Sequence, residues 1–317
     1  MALRLPQRVA VVGAGTMGSG IALVFALAGS RVQLMSRRQT SLEVATQRIK
    51  SSAALLIEHR LISHTESDTA LGRITQTTSL EAAVGDAELV IESIVEDLAA
   101  KRDLLGRVEQ AAPGAILCTD TSSIAITELA ATLARPEAFA GFHWFNPPEL
   151  VALVEVIPGP RTAVETADCL VEWARAAGKR PVRVDRDCLG FVANRLQYAL
   201  LREAFALVEA GVCGYAEVDE AMTAGLGPRW AAVGPFESLD LAGLDVHEAV
   251  AQRLYPTLTG GTEPADAVTN LVSQSALGCK TGRGLYGSYD DATVEKLVRR
   301  RAEVLIALAR LTKTTEA

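Results

Sequence analysis

"VVGAGTMG", residues 11–18, decides how the chain folds. An apolar run, "RVAVVG" (8–13), enters it, and "SGIALVFALAGS" (19–30) leaves it with a helical pattern of apolar residues. Gly13, Gly15 and Gly18 stand at the G-x-G-x-x-G spacing, with Met17 just before the last. Gly13 allows a tight turn, Gly15 lets backbone approach a pyrophosphate, and Gly18 lets helix and strand pack closely. The helix N-terminus stabilises phosphate charge. The motif alone is weak, and a glycine-rich turn without a ligand is the plain alternative. Here it follows a strand and opens a helix, and a second strand comes at the right distance, as a dinucleotide site requires.

That second strand is "RVQLMS" (31–36), and the chain continues Arg37-Arg38. An acid at its end would bind the ribose 2′-hydroxyl of NAD, whereas an arginine nearby accommodates the 2′-phosphate of NADP. Ser36 removes the anion, and Arg37 and Arg38 can hold phosphate with a guanidinium fork. A solvated loop end is the alternative. The local residues favour NADP(H) over NAD(H) as cofactor.

Further strands are expected at "GRITQTT" (72–78), 87–93, 114–120, 139–145, 153–159 and 180–185, with a long helix over about 42–61. Runs apolar on both faces and separated by helices predict a mainly parallel sheet covered on both sides. After about Asp187 the strand signal stops, and "GFVANRLQYALLREAFALVEAG" (190–211) reads as one long helix. The expectation is a Rossmann-type α/β domain over 1–187 and an all-helical domain over 188–317. The 317 residues are 49% hydrophobic, which suits one large or two medium domains. A net charge of −7 with scattered basic residues argues against nucleic acid. No apolar run reaches the length of a membrane span. Five dispersed cysteines without a CxxC pair favour reduced thiols in a cytoplasm and no metal site.

Chemistry-bearing residues cluster in three stretches: "CTDTSSIAIT" (118–127), "GFHWFNPPELVALVEV" (141–156) and "GFVANRLQYALLREA" (190–204). His143 ends an expected strand, where open α/β sheets bind ligands, beside Asn146 and Pro147-Pro148. Glu155 lies in an apolar strand and needs a partner. A histidine is the natural one, because a carboxylate orients the ring and raises its basicity. Taken singly, His143 reads as a core histidine, Glu155 as a structural acid, Ser122 as a turn residue and Asn194 as a helix residue.

Together, the glycine motif, "TSS", "HWFNPP", "LVEV", "GFVANR" and "GCKTGRGLY" resemble the 3-hydroxyacyl-CoA dehydrogenase family over about residues 7–290. The resemblance implies a Rossmann domain followed by a helical dimerisation domain, and hence a homodimer. It implies a catalytic pair of His143 and Glu155, with Ser122 and Asn194 contacting the substrate. It implies cofactor contacts at Glu96, Lys101, Asn146 and Lys280. The reaction implied is hydride transfer at a 3-hydroxy/3-keto carbon.

Two features depart from the family. Ser36 replaces its acid, and its lysine-rich CoA patch is thin here: Ser52 matches a family serine, but "AALLIEHRL" follows. "GLGPRWAAVGP" is similar to the branch containing lambda-crystallin (gulonate 3-dehydrogenase), carnitine dehydrogenase and a pyridine-carboxylate dehydrogenase. There Arg229 and Trp230 would meet a free carboxylate and an apolar group, or merely close a turn and fill a core. The substrate class is therefore an acyl-CoA first, with a non-CoA 3-hydroxy acid or an NADPH-reduced polyketide-type intermediate as alternatives. A structural, crystallin-like role competes poorly with a complete set of catalytic residues.

Overall fold

Why β1 (Arg8–Val12) forms is plain from its burial: Val9, Ala10, Val11 and Val12 are all shielded, as in a strand covered on both faces. The computed structural model describes residues 5–315. After β1 the chain runs α1 (Thr16–Ala28), β2 (Arg31–Met35), α2 (Gln39–Glu58), α3 (His64–Gly72) and β3 (Ile74–Thr77). It continues α4 (Leu80–Val84), β4 (Leu89–Glu92), α5 (Leu98–Ala111), β5 (Ile116–Thr119), α6 (Ile126–Ala130) and β6 (Phe139–Trp144). Then come β7 (Leu153–Pro158), α7 (Val164–Ala176) and β8 (Arg180–Arg183).

The eight strands form one sheet in the order β3-β2-β1-β4-β5-β6-β7-β8. All neighbours are parallel except β6 and β7, which are antiparallel. The doubly wound Rossmann arrangement expected from the sequence is present, with strand order reversing beside β1. A crevice therefore opens above the carboxyl ends of β1, β2 and β4, where such sheets bind ligands. One face packs Leu105 and Val108 of α5 and Leu80 and Val84 of α4 against Val90, Leu117 and Phe139 of the sheet.

The chain divides into two compact units, Met1–Asn194 and Arg195–Ala317. The second contains most of α8 (Ala193–Glu209), then α9 (Tyr215–Glu220), a π-helical turn over Ala221–Leu226, and α10 (Gly227–Ala232). It ends with α11 (Pro235–Ala242), α12 (Leu244–Leu254), α13 (Asp266–Ser273) and α14 (Asp291–Thr315). A two-residue hairpin, Arg283–Gly284 against Gly287–Ser288, interrupts the helices and corrects a strictly all-helical reading. The helix expected from residue 190 begins at Ala193, because Gly190 and Phe191 both take left-handed backbone, at φ 77 and 50. Among the described residues after Arg195, the buried hydrophobics are Ala276, Ala302 and Ile306. Among the described residues no helix is long and apolar enough to cross a membrane.

Candidate active site

The glycine turn shows why these positions cannot carry a side chain. Gly13 sits at φ +124, and a Cβ there would lie 2.1 Å from the Ser93 carbonyl oxygen. A Cβ on Gly18 would lie 1.8 Å from the Gly13 oxygen. Gly15 differs: nothing lies within 4 Å of its Cβ position, so space is open there for a ligand. Gly15 is also the N-cap of α1 and offers no side-chain cap. The first N–H groups of α1 are thus left to an anion. This set of features fits a dinucleotide pyrophosphate.

A cavity of about 1070 Å³ extends from this turn. Gly13, Gly15 and Met17 line its floor, and Ser36, Arg37 and Arg38 its outer end. Arg48 of α2 and Arg107 of α5 join them, which the sequence reading missed because nothing in an isolated helix shows which arginine turns toward a cavity. Arg37 and Arg38 are exposed, and Arg38 is the N-cap of α2.

At the other end of the sheet lies the histidine. Antiparallel pairing of β6 and β7 sets His143 directly opposite Glu155. Their side chains meet with His143 Nδ1 2.8 Å from Glu155 Oε2, both buried. Glu155 Oε1 accepts the backbone N–H groups of Val192 (3.0 Å) and Ala193 (2.9 Å), where α8 begins. Burial pushes the Glu155 carboxyl up. The hydrogen bonds from His143, Ala193 and Val192, with the charge of His143, outweigh it and hold the group below its ordinary value. The rings of Phe145 and Phe191 flank the imidazole, with centroids 4.5 and 5.4 Å away. With Nδ1 engaged, Nε2 is the nitrogen left for proton transfer.

Ser122 and Asn194 also come together: Asn194 Nδ2 donates to the Ser122 carbonyl oxygen at 3.4 Å. Glu96 holds the same loop. One of its oxygens accepts from Thr121 Oγ1 (2.7 Å), Ser122 N (2.9 Å), Ser123 N and Ser123 Oγ (both 2.8 Å). Burial raises its carboxyl, yet these bonds and the Lys101 charge bring it down to about 2. Lys101 is buried, 2.7 Å from Glu92 Oε1 and 3.4 Å from Glu96 Oε2. Glu96 and Lys101 stand beside the cavity as supports and are absent from its lining.

Asn146 precedes a cis peptide to Pro147. It lines a smaller recess of about 390 Å³ with Ser52 and Glu149, and the Ser52 hydroxyl donates to Glu149. Lys280, Arg229 and Trp230 belong to the second unit, where Trp230 of α10 is exposed at 42% and Lys280 lies in a turn. Among the described residues no group of three or more His, Cys, Asp or Glu side chains is placed to hold a metal ion.

Residues 8–188 match the family model for the 3-hydroxyacyl-CoA dehydrogenase NAD-binding domain, and residues 190–288 match that family's C-terminal domain. The chain belongs to the 3-hydroxyacyl-CoA dehydrogenase family. It is an NAD-binding oxidoreductase of the family's CH–OH type, and relatives that act without CoA stand beside those that use it. The chain is 33% identical over 311 residues to 5-formyl-3-hydroxy-2-methylpyridine 4-carboxylate 5-dehydrogenase of Mesorhizobium japonicum, covering 98% of this chain and 99% of that protein. It is 34% identical over 290 residues to the mitochondrial hydroxyacyl-coenzyme A dehydrogenase of Sus scrofa, covering 89% and 91%. A crystal structure of a pyridine-carboxylate 5-dehydrogenase of the first kind, described as an NAD+-dependent dismutase, superposes with a TM-score of 0.90 at 34% identity, covering 97% and 98%. (S)-3-hydroxybutyryl-CoA dehydrogenase of Ralstonia eutropha gives 0.73 at 33%, covering 90% and 100%.

Proposed function

We propose that the protein interconverts a 3-hydroxy and a 3-keto group, with His143 as acid/base. The observation that carries this is the His143–Glu155 contact, two buried groups locked face to face by strand register. In the oxidative direction His143 Nε2 takes the hydroxyl proton as C3 loses hydride. Glu155, already charged, stabilises the imidazolium that forms. Ser122 Oγ and the Asn194 amide hold the substrate oxygen within reach. In reduction the same imidazolium returns the proton. When bound, the nicotinamide supplies the two-electron acceptor or donor. Gly13, Gly15, Met17, Gly18 and Asn146 bind that cofactor.

For the cofactor we favour NADP(H). Ser36 brings no anion, Arg37 and Arg38 follow it in the cavity lining, and Arg48 and Arg107 line the same cavity. The acyl-CoA reaction is the first reading of the substrate. A specific observation favours the second, a 3-hydroxy acid without CoA. Ser52 donates to Glu149, so the serine expected at a CoA group is already engaged within the protein. Full-length similarity to a pyridine-carboxylate dehydrogenase supports the same choice.

A homodimer through the second unit completes the reading. Phe236 is 81% exposed and Leu241 78%, and Leu196 and Leu244 are exposed too, more apolar surface than a free domain shows. Sedimentation as a monomer would remove it. The test of the reaction is turnover of acetoacetyl-CoA and of free 3-keto acids by wild type and His143→Ala. The variant is expected to bind cofactor and to be inactive, and near-normal turnover would defeat the assignment.

A further inference from the structure

Asp120 is a buried acid that the reaction as described does not use. It follows β5 in "CTDTSS", and its two carboxyl oxygens have different partners. Oδ1 accepts the backbone N–H of Trp144 at 2.9 Å. That N–H belongs to the peptide joining His143 to Trp144. Oδ2 lies 3.1 Å from Ser93 Oγ. Ser93 follows β4, and its backbone packs so closely on Gly13 that a single carbon added there would collide with it. The Asp120 N–H is bonded to the Glu92 carbonyl at 2.8 Å, so the aspartate backbone is fixed as well. Ser93 and Asp120 both line the cavity that runs from the glycine turn.

These contacts make a continuous line: glycine turn, Ser93, Asp120, then the His143 peptide. We propose that Asp120 is a positioning residue that joins the cofactor floor to the catalytic histidine, so that seating the dinucleotide sets the imidazole in place. This rests on His143 being the acid/base. The line crosses the ends of three neighbouring strands, β4, β5 and β6, in which backbone bonds alone fix the strands but not the loops beyond them. A carboxyl that takes one partner from each flanking strand end removes that freedom. Reactions lose up to about 100-fold when a catalytic group is misplaced by 1 Å, so a joint of this kind has something to protect.

The charge around Asp120 favours a neutral joint. Burial pushes its carboxyl up to about 8, with Glu92 adding to the rise; Trp144 N–H, Ser93 Oγ and Lys101 pull the other way. Glu92 is itself buried against Lys101 and Thr119, and Cys118, buried on β5, is pushed up by its own burial and by both acids. Asp120 accepts from both the Trp144 N–H and the Ser93 hydroxyl, and an asparagine with its oxygen on Trp144 still offers an amide N–H to Ser93 Oγ, which can accept it. Asp120→Asn therefore keeps the joint, Asp120→Ala cuts it on both sides, and Ser93→Ala cuts only the cofactor side.

The experiment reads two signals from the full-length protein. Steady-state kinetics separate kcat from the cofactor KM, and proton NMR follows the His143 ring among the four histidines, assigned with His143→Ala, without and with cofactor. Asp120→Ala is expected to lower kcat by about 10- to 100-fold and to move the ring signal even without cofactor. Asp120→Asn is expected to restore kcat to within about threefold. Ser93→Ala, which leaves the Trp144 bond intact, is expected to fold, to bind cofactor, and to lose the cofactor-induced shift of the ring. Near-normal kcat in Asp120→Ala, an Asp120→Asn variant as slow as Asp120→Ala, or an undiminished shift in Ser93→Ala would each overturn the proposal. If Asp120→Ala does not fold, Asp120→Asn and Ser93→Ala decide alone. An active His143→Ala would instead defeat the reaction assignment beneath it.

Discussion

Replace Glu155 by glutamine and the site keeps its shape but loses its charge. Glu155 has two jobs on its two oxygens: Oε2 faces His143 Nδ1, and Oε1 takes two backbone N–H groups. A glutamine has one oxygen and one NH2. If its oxygen faces the histidine, the NH2 confronts Val192 and Ala193, donor against donor, and those N–H groups lose their acceptor. If the NH2 faces the histidine, Nδ1 must accept, the ring proton moves to Nε2, and the base no longer points at the substrate. The first arrangement keeps the tautomer but gives up a charged hydrogen bond, worth about 1.5–3 kcal/mol. At 1.36 kcal/mol per tenfold, kcat should fall roughly 10- to 160-fold. The second arrangement costs more, since the base itself is lost; replacing an aspartate that sets a histidine tautomer by asparagine costs about 10⁴ in kcat in a serine protease. The assay is steady-state reduction of a 3-keto substrate at saturating cofactor, with cofactor affinity measured separately by nicotinamide fluorescence. Loss in kcat with unchanged cofactor affinity is the expected result. A Glu155→Gln enzyme within about twofold of wild type would refute the reasoning that the carboxylate charge stabilises the imidazolium.

The double variant Arg37→Ala/Arg38→Ala should lose at least about tenfold in NADPH affinity while NADH affinity holds, since each phosphate contact of this kind is worth about 1.5–3 kcal/mol; wild type that binds both equally would refute the phosphate reading. Glu96, held at about 2 in the folded chain, contributes stability that is present above its ordinary carboxylate value and is lost as pH falls from about 4.5 toward 2. Thermal unfolding should therefore show Glu96→Gln to be destabilised at pH 7 and nearly level with wild type at pH 2; an equal loss at both would mean that the charge plays no part.

Much of the α/β unit could be read from the residues because its signals are local. A glycine motif between a strand and a helix, and strands buried on both faces, announce themselves within a few positions. The pairing of His143 with Glu155 was reachable because a carboxylate in an apolar strand demands a partner and the chain offers few histidines. The rest depends on tertiary geometry. Asp120 is one acid at a strand end, and nothing in "CTDTSS" tells that its two oxygens join separate loops. Glu96 is expected at the cofactor, and nothing around it in the sequence tells that one of its oxygens also takes four short hydrogen bonds from Thr121, Ser122 and Ser123. Ser52 was expected on the substrate, and the acid that meets it lies 97 residues away. The start of α8 was misplaced by three residues because left-handed backbone at Phe191, a residue type that rarely adopts it, leaves no mark in composition.

The lone antiparallel pairing in the sheet, β6 with β7, has a consequence for how such an enzyme can change. Pairing along β6 and β7 sets His143 opposite Glu155, and the segment between the strands lies outside that ladder. Side chains of that segment at the recess, such as Glu149, can therefore change without touching the pairing that assembles the acid/base couple. A single insertion within either strand would instead turn one partner to the opposite face of the sheet and end catalysis at a stroke. The pairing of the couple thus lies in the strands, and the recess beside it in the segment that they carry.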